Sequence, residues 1–594
     1  MLQYKTFNQA IVSLWSHLKR ARRIQFVVLL ALMMLASMAE MISIGAVVPF
    51  LGALINPEQV FNHPSTQPSL AFFGIRNPQD LLLPLTFIFC LAAVTAGLFR
   101  LALLYATTRF SFSVGADLSI DTYRRSLYQP YSVHIGRNSS EIINGIVGKV
   151  AMLIGSILMP MLTLISSTIL LAGLLCTLLL IDPEIAIIAC SSFGFLYLVT
   201  ALVSRRKLRE NSECIAREST RVIKSLQEGL GGIRDVLIDG TQETYCAIFR
   251  AADLPMRRAQ ARNTFIGASP RFIMEMLGMV MIAVLAYNMS YRDGGVSAAV
   301  PVLGALALGA QRILPVLQQG YNAIATILGA EASLRDGLDL LAQPMPKHPG
   351  KNIVQPLPFE RSIRLDEVGF RYADDGGWIM RHICLEVPKG KRVGFIGSTG
   401  AGKSTLLDIF MLLLRPTEGA ILIDGQALGE ENFRNWQAHV AHVPQSIFLS
   451  DSSIEENIAF GLRPKDIDPK RVRDAAEQAH INEIIESWPE KYQTKVGERG
   501  VRLSGGQRQR IGIARALYKR TDVIIFDEAT SALDSATERA IMETIDSLSS
   551  DLTILTVAHR LTTLRKCDFI VEIEGGRISR IGPYQQFINN TLRI

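Results

Sequence analysis

Cysteine is scarce and unpatterned in this chain. The seven residues (Cys90, Cys176, Cys190, Cys214, Cys246, Cys384 and Cys567) include no C-x-x-C pair. That scatter excludes a disulfide frame and a cysteine metal centre, and fits reduced, mostly buried thiols. Charge is scarce too: 19% of the 594 residues are charged against 49% hydrophobic. No internal repeat or low-complexity tract stands out, which leaves no repeat array to consider. The apolar run after Arg23 is too long for a cleavable signal peptide and lacks a small-residue cleavage site.

What is abundant is apolar sequence, and it is concentrated before residue 340. Six stretches, near 24–51, 81–107, 152–181, 184–204, 272–291 and 296–330, are long enough to cross a bilayer. Crossing about 30 Å of hydrocarbon takes about 20 helical residues. Basic residues orient the spans. They crowd the N-terminal segment (Lys19, Arg20, Arg22, Arg23) and the connections 108–151 and 205–271, while the first and fifth connections carry single arginines, Arg76 and Arg292. The N-terminus, the long connections and everything after residue 340 are therefore expected in the cytoplasm. This bias accounts for the net charge of +7 and leaves no need for a nucleic-acid partner. Met1–Arg23 reads as an amphipathic helix on the inner leaflet, with Trp15 as an interfacial anchor. Both long cytoplasmic connections break midway, at Gln129-Pro130-Tyr131 and Gly229-Leu230-Gly231-Gly232.

The second half holds the chemistry. Gly397–Thr405 (Gly397, Ser398, Thr399, Gly400, Ala401, Gly402, Lys403, Ser404, Thr405) fits G-x-x-x-x-G-K-[ST] between a strand-like run, Arg392–Ile396, and a helical one. Glycines let backbone N–H groups close around phosphates at a helix N-terminus that favours negative charge. Lys403 can then reach the β- and γ-phosphates of ATP, and the Ser404 hydroxyl can hold Mg²⁺. A second apolar strand, Val523–Phe526, leads into Asp527, placed to hold Mg²⁺ through water, and Glu528, placed as general base for the attacking water. A third run, Thr553–Val557, puts His559 at the same sheet edge, where ligands of parallel sheets collect.

These residues resemble the ATP-binding cassette transporters over nearly the whole chain. The resemblance makes Gly397–Thr405 the Walker A loop, Val523–Asp527 the Walker B strand and Glu528 the catalytic glutamate. It implies that Gln445 contacts Mg²⁺, that Ser504-Gly505-Gly506-Gln507 form the signature loop, and that Ser531–Asp534 form the D-loop. His559 is then the γ-phosphate switch, and Tyr372 the aromatic that stacks on adenine. Gly497-Glu498-Arg499-Gly500 matches a loop typical of exporters. The implied fold is an all-α six-helix transmembrane domain fused to a cytoplasmic α/β P-loop nucleotide-binding domain. The divisions are 1–23 (N-terminal segment), 24–340 (spans), 341–360 (linker) and 361–594 (nucleotide binding). Pro130–Gly136 and Gly232–Gly240 are the expected coupling segments. Because one subunit's signature loop closes over ATP on the other in this family, an intact set implies a homodimer.

Three arginines fall inside or at the edge of spans: Arg100, Arg271 and Arg312. Charge at membrane depth points to function, and a guanidinium fork suits phosphate. Arg271 also has Glu275 four residues on, a same-face partner. The stretches AEMISIGAVVPFLGAL, FRLALLY, SPRFIMEMLG and QRILP are similar to the bacterial lipid-linked oligosaccharide flippase branch, in which arginines at the matching places are thought to meet a lipid pyrophosphate. The leading expectation is ATP-driven flipping or export of an anionic lipid-linked saccharide or glycolipid in a bacterial inner membrane. The alternatives are a multidrug or peptide exporter and a nucleotide-gated channel. No peptidase-like domain precedes the first span, which disfavours leader-cleaving peptide export. The intact Glu528 and His559 disfavour the channel.

Overall fold

The computed structural model describes residues 7–55, 57–61, 77–181, 183–290, 313–345, 356–373, 375–528, 538–539, 551–558 and 560–591. His559, Arg312, Ser531–Asp534 and the part of the sixth expected span before residue 313 lie outside them. The chain divides into two compact units, Met1–Gln129 with Arg137–Pro346, and Pro130–Gly136 with Lys347–Ile594.

The first unit is helical: α1 (Phe7–His17), α2 (Arg20–Ile55), α3 (Leu82–Leu127), α4 (Met159–Ile181), α5 (Pro183–Gly231), α6 (Gln242–Ser290) and α7 (Glu331–Leu341). Residues 313–328 are helical as well. α4 is entered through two π-type turns, Asn144–Lys149 and Leu153–Leu158. At about 1.5 Å per residue, the 36 residues of α2 and the 46 of α3 exceed a bilayer's hydrocarbon thickness. Three segments among the described residues are long and apolar enough to cross a membrane: Arg20–Ser43, Leu82–Leu127 and Ser139–Cys176. Large aliphatics such as Val28, Leu35, Leu98 and Leu101 stand exposed on them. Water would make such a surface costly; hydrocarbon does not.

α1 does not spend its apolar face on the leaflet. Ala10, Leu14 and Leu18 are buried with Leu29, Phe110, Val114 and the α7 residues Leu334, Leu338 and Leu341. Protein competes with lipid for that stripe and wins, because α2 turns back immediately: Lys19 and Arg22 both pair with Asp117 of α3, each at 2.8 Å.

α6 contains Pro270, which lacks the N–H that would bond the carbonyl of Ile266. The Tyr321 hydroxyl donates to that carbonyl at 3.1 Å, and Gln318 Nε2 donates to the Gly267 carbonyl at 3.0 Å. Neighbouring helices satisfy the backbone group that proline frees, as apolar surroundings require.

The second unit contains two sheets. β1 (Ser362–Phe370), β2 (Met380–Pro388), β4 (Glu418–Ile423) and β5 (Gln426–Ala427) form an antiparallel sheet in the order β2-β1-β4-β5. β3 (Arg392–Ile396), β6 (Val440–Val443), β7 (Val523–Asp527), β8 (Thr553–Val557), β9 (Phe569–Glu574) and β10 (Arg577–Gly582) run in the order β10-β9-β3-β8-β7-β6. The pairs β3–β8, β3–β9, β7–β8 and β6–β7 are parallel. One core joins both sheets to α8 (Lys403–Phe410) through Leu365, Leu385, Phe395, Leu407, Phe410, Val523 and Leu555. A second core is largely helical and takes in Val472, Ala476, Ile485 and residues of α9 (Gly505–Lys519), such as Ile511 and Ala514.

Candidate functional site

Because β3, β6 and β7 are parallel, their carboxyl ends lie on one edge, and each delivers a candidate group there. β3 runs into Gly397, whose φ is 153°. A Cβ at this position would lie 2.3 Å from the Ile573 carbonyl oxygen, so only glycine fits. The loop then turns through Gly400 and Gly402, at φ 85° and 97°, with Gly402 capping α8. Ser398, Thr399, Gly400 and Ser404 face solvent, Gly402 and Thr405 are part-buried, and Ala401 packs into the core. Lys403 is only 7% exposed, yet its ammonium donates to the carbonyls of Gly397 (2.8 Å) and Ser398 (3.0 Å). The loop thus holds the cation over its own mouth, where a phosphate would take over those hydrogen bonds.

β7 ends at Asp527, and Glu528 follows in the left-handed region at φ 51°. That conformation is uncommon for a residue with a side chain, and strain of this kind clusters at functional sites. The Glu528 N–H donates to the Val557 carbonyl at 3.1 Å, which ties the turn to β8. Gln445, two residues beyond β6, donates from Nε2 to Glu528 Oε2 at 2.6 Å. The proposed base and the proposed magnesium-contacting glutamine are therefore in contact. Gln445 keeps its amide oxygen for a cation. With Ser404 Oγ and Asp527, that makes an all-oxygen donor set, which suits Mg²⁺ shared with phosphates. Among the described residues no cluster of three or more His, Cys, Asp or Glu could hold a metal by itself. A site completed by nucleotide oxygens needs none.

Ser504 caps α9 in a reciprocal box: its hydroxyl accepts the Gln507 N–H at 3.2 Å, and the Gln507 amide oxygen accepts the Ser504 N–H at 2.9 Å. The S-x-x-Q spacing inside the signature is thus a helix-start device. The box holds Gly505 and Gly506 in the first turn, with their N–H groups at the positive end of the dipole. This loop adjoins the largely helical core, and the phosphate loop adjoins the sheet core. Arg515 of α9 donates to the carbonyls of Asn457 (2.9 Å) and Phe448 (3.0 Å), linking the signature helix to the segment after Gln445. Tyr372, 52% exposed, presents its ring beside Phe370 at 5.0 Å.

Asp408 of α8 was not among the sequence candidates. Burial first, and the neighbouring Asp527 second, push its carboxyl up to about 6. Its signal was a carboxylate five residues beyond Lys403, set among the apolar residues Leu406, Leu407, Ile409 and Phe410. Pro130–Gly136, whose core Tyr131–Ile135 is a short helix, belongs to this second unit. The Tyr131 phenol is raised by burial, then by Asp408 and Tyr372. The other expected coupling segment, Gly232–Gly240, whose helix spans Ile233–Ile238, belongs to the first unit. It buries Val236 but exposes Ile233, Leu237 and Ile238.

In the first unit, Arg100 pairs with Glu40 of α2. Glu40 is only 4% exposed, and the two residues line a cavity of about 460 Å³ together with Ser37, Thr107, Ser167 and Gln319. Glu40 was also missed, although it is the single carboxylate of the first apolar stretch. Arg271 is not among the residues lining this cavity; it pairs with Glu275 at 2.8 Å.

A nucleotide-triphosphate edge in one unit and bilayer-length helices in the other define an ATP-driven membrane transporter. The chain belongs to the ABC transporter family: the "ABC transporter" model matches residues 380–531, and the "ABC transporter transmembrane region" model matches residues 24–292. The ATP-dependent lipid A-core flippase of Cupriavidus metallidurans is 28% identical over 510 residues, 84% of this chain and 83% of that one. The protein of the same name from Saccharophagus degradans is 30% identical over 483 residues, 81% of this chain and 80% of that one. A bacterial Atm1-family ABC exporter solved with ATP bound shares the fold, with a TM-score of 0.74 at 24% identity over 92% of this chain and 96% of that one. The chain is thus a membrane exporter that binds ATP and couples its hydrolysis to transport.

Proposed function

We propose that the chain works as a homodimer in a bacterial inner membrane and flips an anionic lipid-linked saccharide or glycolipid from the cytoplasmic leaflet. The observation that carries this reading is the Arg100–Glu40 pair in a cavity of mixed polar and apolar lining among apolar helices. A guanidinium at that depth is costly unless paired. Pairing it with a buried carboxylate keeps it in place, and a phosphate entering the cavity can compete with Glu40 for the fork. The hydroxyls of Ser37, Thr107 and Ser167 and the Gln319 amide line the same space and suit a hydroxyl-rich head-group. Arg271 and Arg312 complete the proposed set of head-group contacts. The two relatives are named as flippases of lipid A-core, which supports a lipid cargo.

On the nucleotide side, Gly397–Thr405 cradles the phosphates and Tyr372 stacks on adenine. Ser404, Gln445 and, through water, Asp527 would hold Mg²⁺, which would supply positive charge to the phosphates. Glu528, held by Gln445, accepts a proton from the attacking water, and His559 contacts the γ-phosphate. Ser504, Gly505, Gly506 and Gln507 close over ATP on the partner subunit. The exposed Ile233, Leu237 and Ile238 support the dimer, since they form an apolar tip suited to docking on a second copy.

ATPase activity in lipid nanodiscs, with and without a polyprenyl-pyrophosphate saccharide, tests the reading. Stimulation in wild type that disappears in an Arg100/Arg271/Arg312→Ala triple variant, with basal turnover intact, is expected. Equal stimulation in both, or none in wild type, overturns it.

A further inference from the structure

The two partners of the Arg100–Glu40 pair are unequally held. The Arg100 side chain is 57% exposed and that of Glu40 only 6%. The cause lies in α2, where Glu40 shares a face with Ala36, Ser37 and Ser43, all buried. That side of α2 packs closely on α4. The Ser37 hydroxyl donates to the Ile169 carbonyl at 3.4 Å, and a Cβ on Gly173 would lie 3.0 Å from Ser37 Oγ. The carboxylate is therefore fixed in a packed seam, and the arginine is the partner with room to move.

The contact does not use up the guanidinium. Among the described residues Arg100 makes one hydrogen bond, from Nη2 to Glu40 Oε1. A phosphate entering the cavity must share the fork with Glu40 or take it over. Either way two anions face one cation. Among the described residues lining the cavity, Arg100 and Glu40 are the only charged ones, so the space is neutral at rest.

Magnitudes decide what Glu40 does to affinity. As an orienting partner it helps binding by holding the fork still, which is worth about tenfold at most. As a like charge about 6 Å from the phosphate it opposes binding by about a hundredfold, at an effective dielectric of about 20. Repulsion wins.

What such a cavity gains is selectivity. Anionic glycerophospholipids of the cytoplasmic leaflet carry a phosphate too, and an unopposed guanidinium among apolar helices would take them without distinction. With its charge cancelled, phosphate alone is too little. A saccharide head-group can add hydrogen bonds to the hydroxyls of Ser37, Thr107 and Ser167 and to the Gln319 amide.

We propose that Glu40 is a specificity-determining residue: its fixed negative charge cancels that of Arg100 and so keeps ordinary anionic phospholipids out of the cargo cavity. This rests on the function proposed for that cavity and adds what sets its selectivity.

The test uses full-length protein in phosphatidylcholine proteoliposomes, with and without a fixed fraction of phosphatidylglycerol. The readout is the mole fraction of a fluorescent polyprenyl-pyrophosphate saccharide that gives half-maximal ATP-dependent movement. In wild type, phosphatidylglycerol should leave this value unchanged. Glu40→Gln keeps an acceptor for the Arg100 N–H but drops the charge. In phosphatidylcholine it should lower the half-saturating fraction at least about tenfold, and phosphatidylglycerol, now a competitor, should raise it again. Glu40→Asp keeps the charge and should resist phosphatidylglycerol as wild type does. Competitive inhibition of wild type by phosphatidylglycerol overturns the proposal without recourse to any variant. So does a Glu40→Gln protein that matches wild type in both membranes, or that needs more cargo in phosphatidylcholine. These results leave Arg100-dependent movement in wild type standing. Failure of the cargo reading looks different, because wild-type movement is then absent or indifferent to Arg100→Ala, and this proposal falls with it.

Discussion

At the residue scale, each proposed group on the nucleotide edge has a job that removing a few atoms can test. Glu528→Gln keeps the shape and the Gln445 contact but cannot take a proton. Steady-state ATP hydrolysis should fall at least about a hundredfold, while binding of a fluorescent ATP analogue stays within a few-fold of wild type. Asp408 gives a pH signature. Its folded value, about 6, lies above the ordinary carboxylate range because it is buried beside Asp527. A raised acid favours the folded state below its unfolded value, and that contribution is lost as pH climbs toward the folded value. Asp408→Asn should therefore raise the unfolding temperature at pH 8 and leave it nearly unchanged at pH 4. Thermal melts across that range decide it, and an equal effect at both ends would remove the burial argument. Neither Asp408 nor Glu40 was legible as a site residue, because a sequence shows that a carboxylate sits in an apolar helix but not which charge faces it.

At the scale of elements, the strand–loop–helix around Gly397 was legible throughout, since a phosphate loop needs glycine at fixed offsets from a lysine. The signature was legible as a motif but not as a mechanism. Only the structure shows that Ser504 and Gln507 cap α9 reciprocally. Ser504→Ala should cost about 1 kcal/mol of stability, as capping residues typically do. The proline in α6 makes a sharper test. Tyr321→Phe removes the donor from the Ile266 carbonyl and should cost about 1–3 kcal/mol, as an unsatisfied buried acceptor does. In a Pro270→Ala background the restored N–H serves that carbonyl, and Tyr321→Phe should then cost much less. Additive losses in this cycle would contradict the pairing. The apolar stripe of α1 was visible in sequence, but its partner was not. Amphipathicity fixes that a face must be covered, and tertiary packing decides by what.

At the scale of the whole molecule, composition already set an apolar, helix-spanning first half apart from the half that carries the nucleotide motifs, because apolar length is a property a bilayer reads directly. The cargo is the part sequence carries least, since a head-group meets a few side chains brought together from distant helices. Glu40 and Arg100 are sixty residues apart and touch only in the fold. The proposed homodimer is a claim about the whole molecule. Light scattering of the purified protein should give twice the 65.5 kDa chain mass after correction for bound detergent. A monomer with full ATPase activity would rule out composite sites.

The central claim, ATP-driven flipping of an anionic lipid-linked head-group that meets Arg100, is tested most directly in proteoliposomes. A fluorescent polyprenyl-pyrophosphate saccharide is followed by its accessibility to a membrane-impermeant quencher before and after ATP is added. The account predicts ATP-dependent movement of the head-group in wild type, and loss of that movement in Arg100→Ala while ATP hydrolysis without cargo continues. Movement that is independent of ATP, or that proceeds equally well in Arg100→Ala, would contradict it.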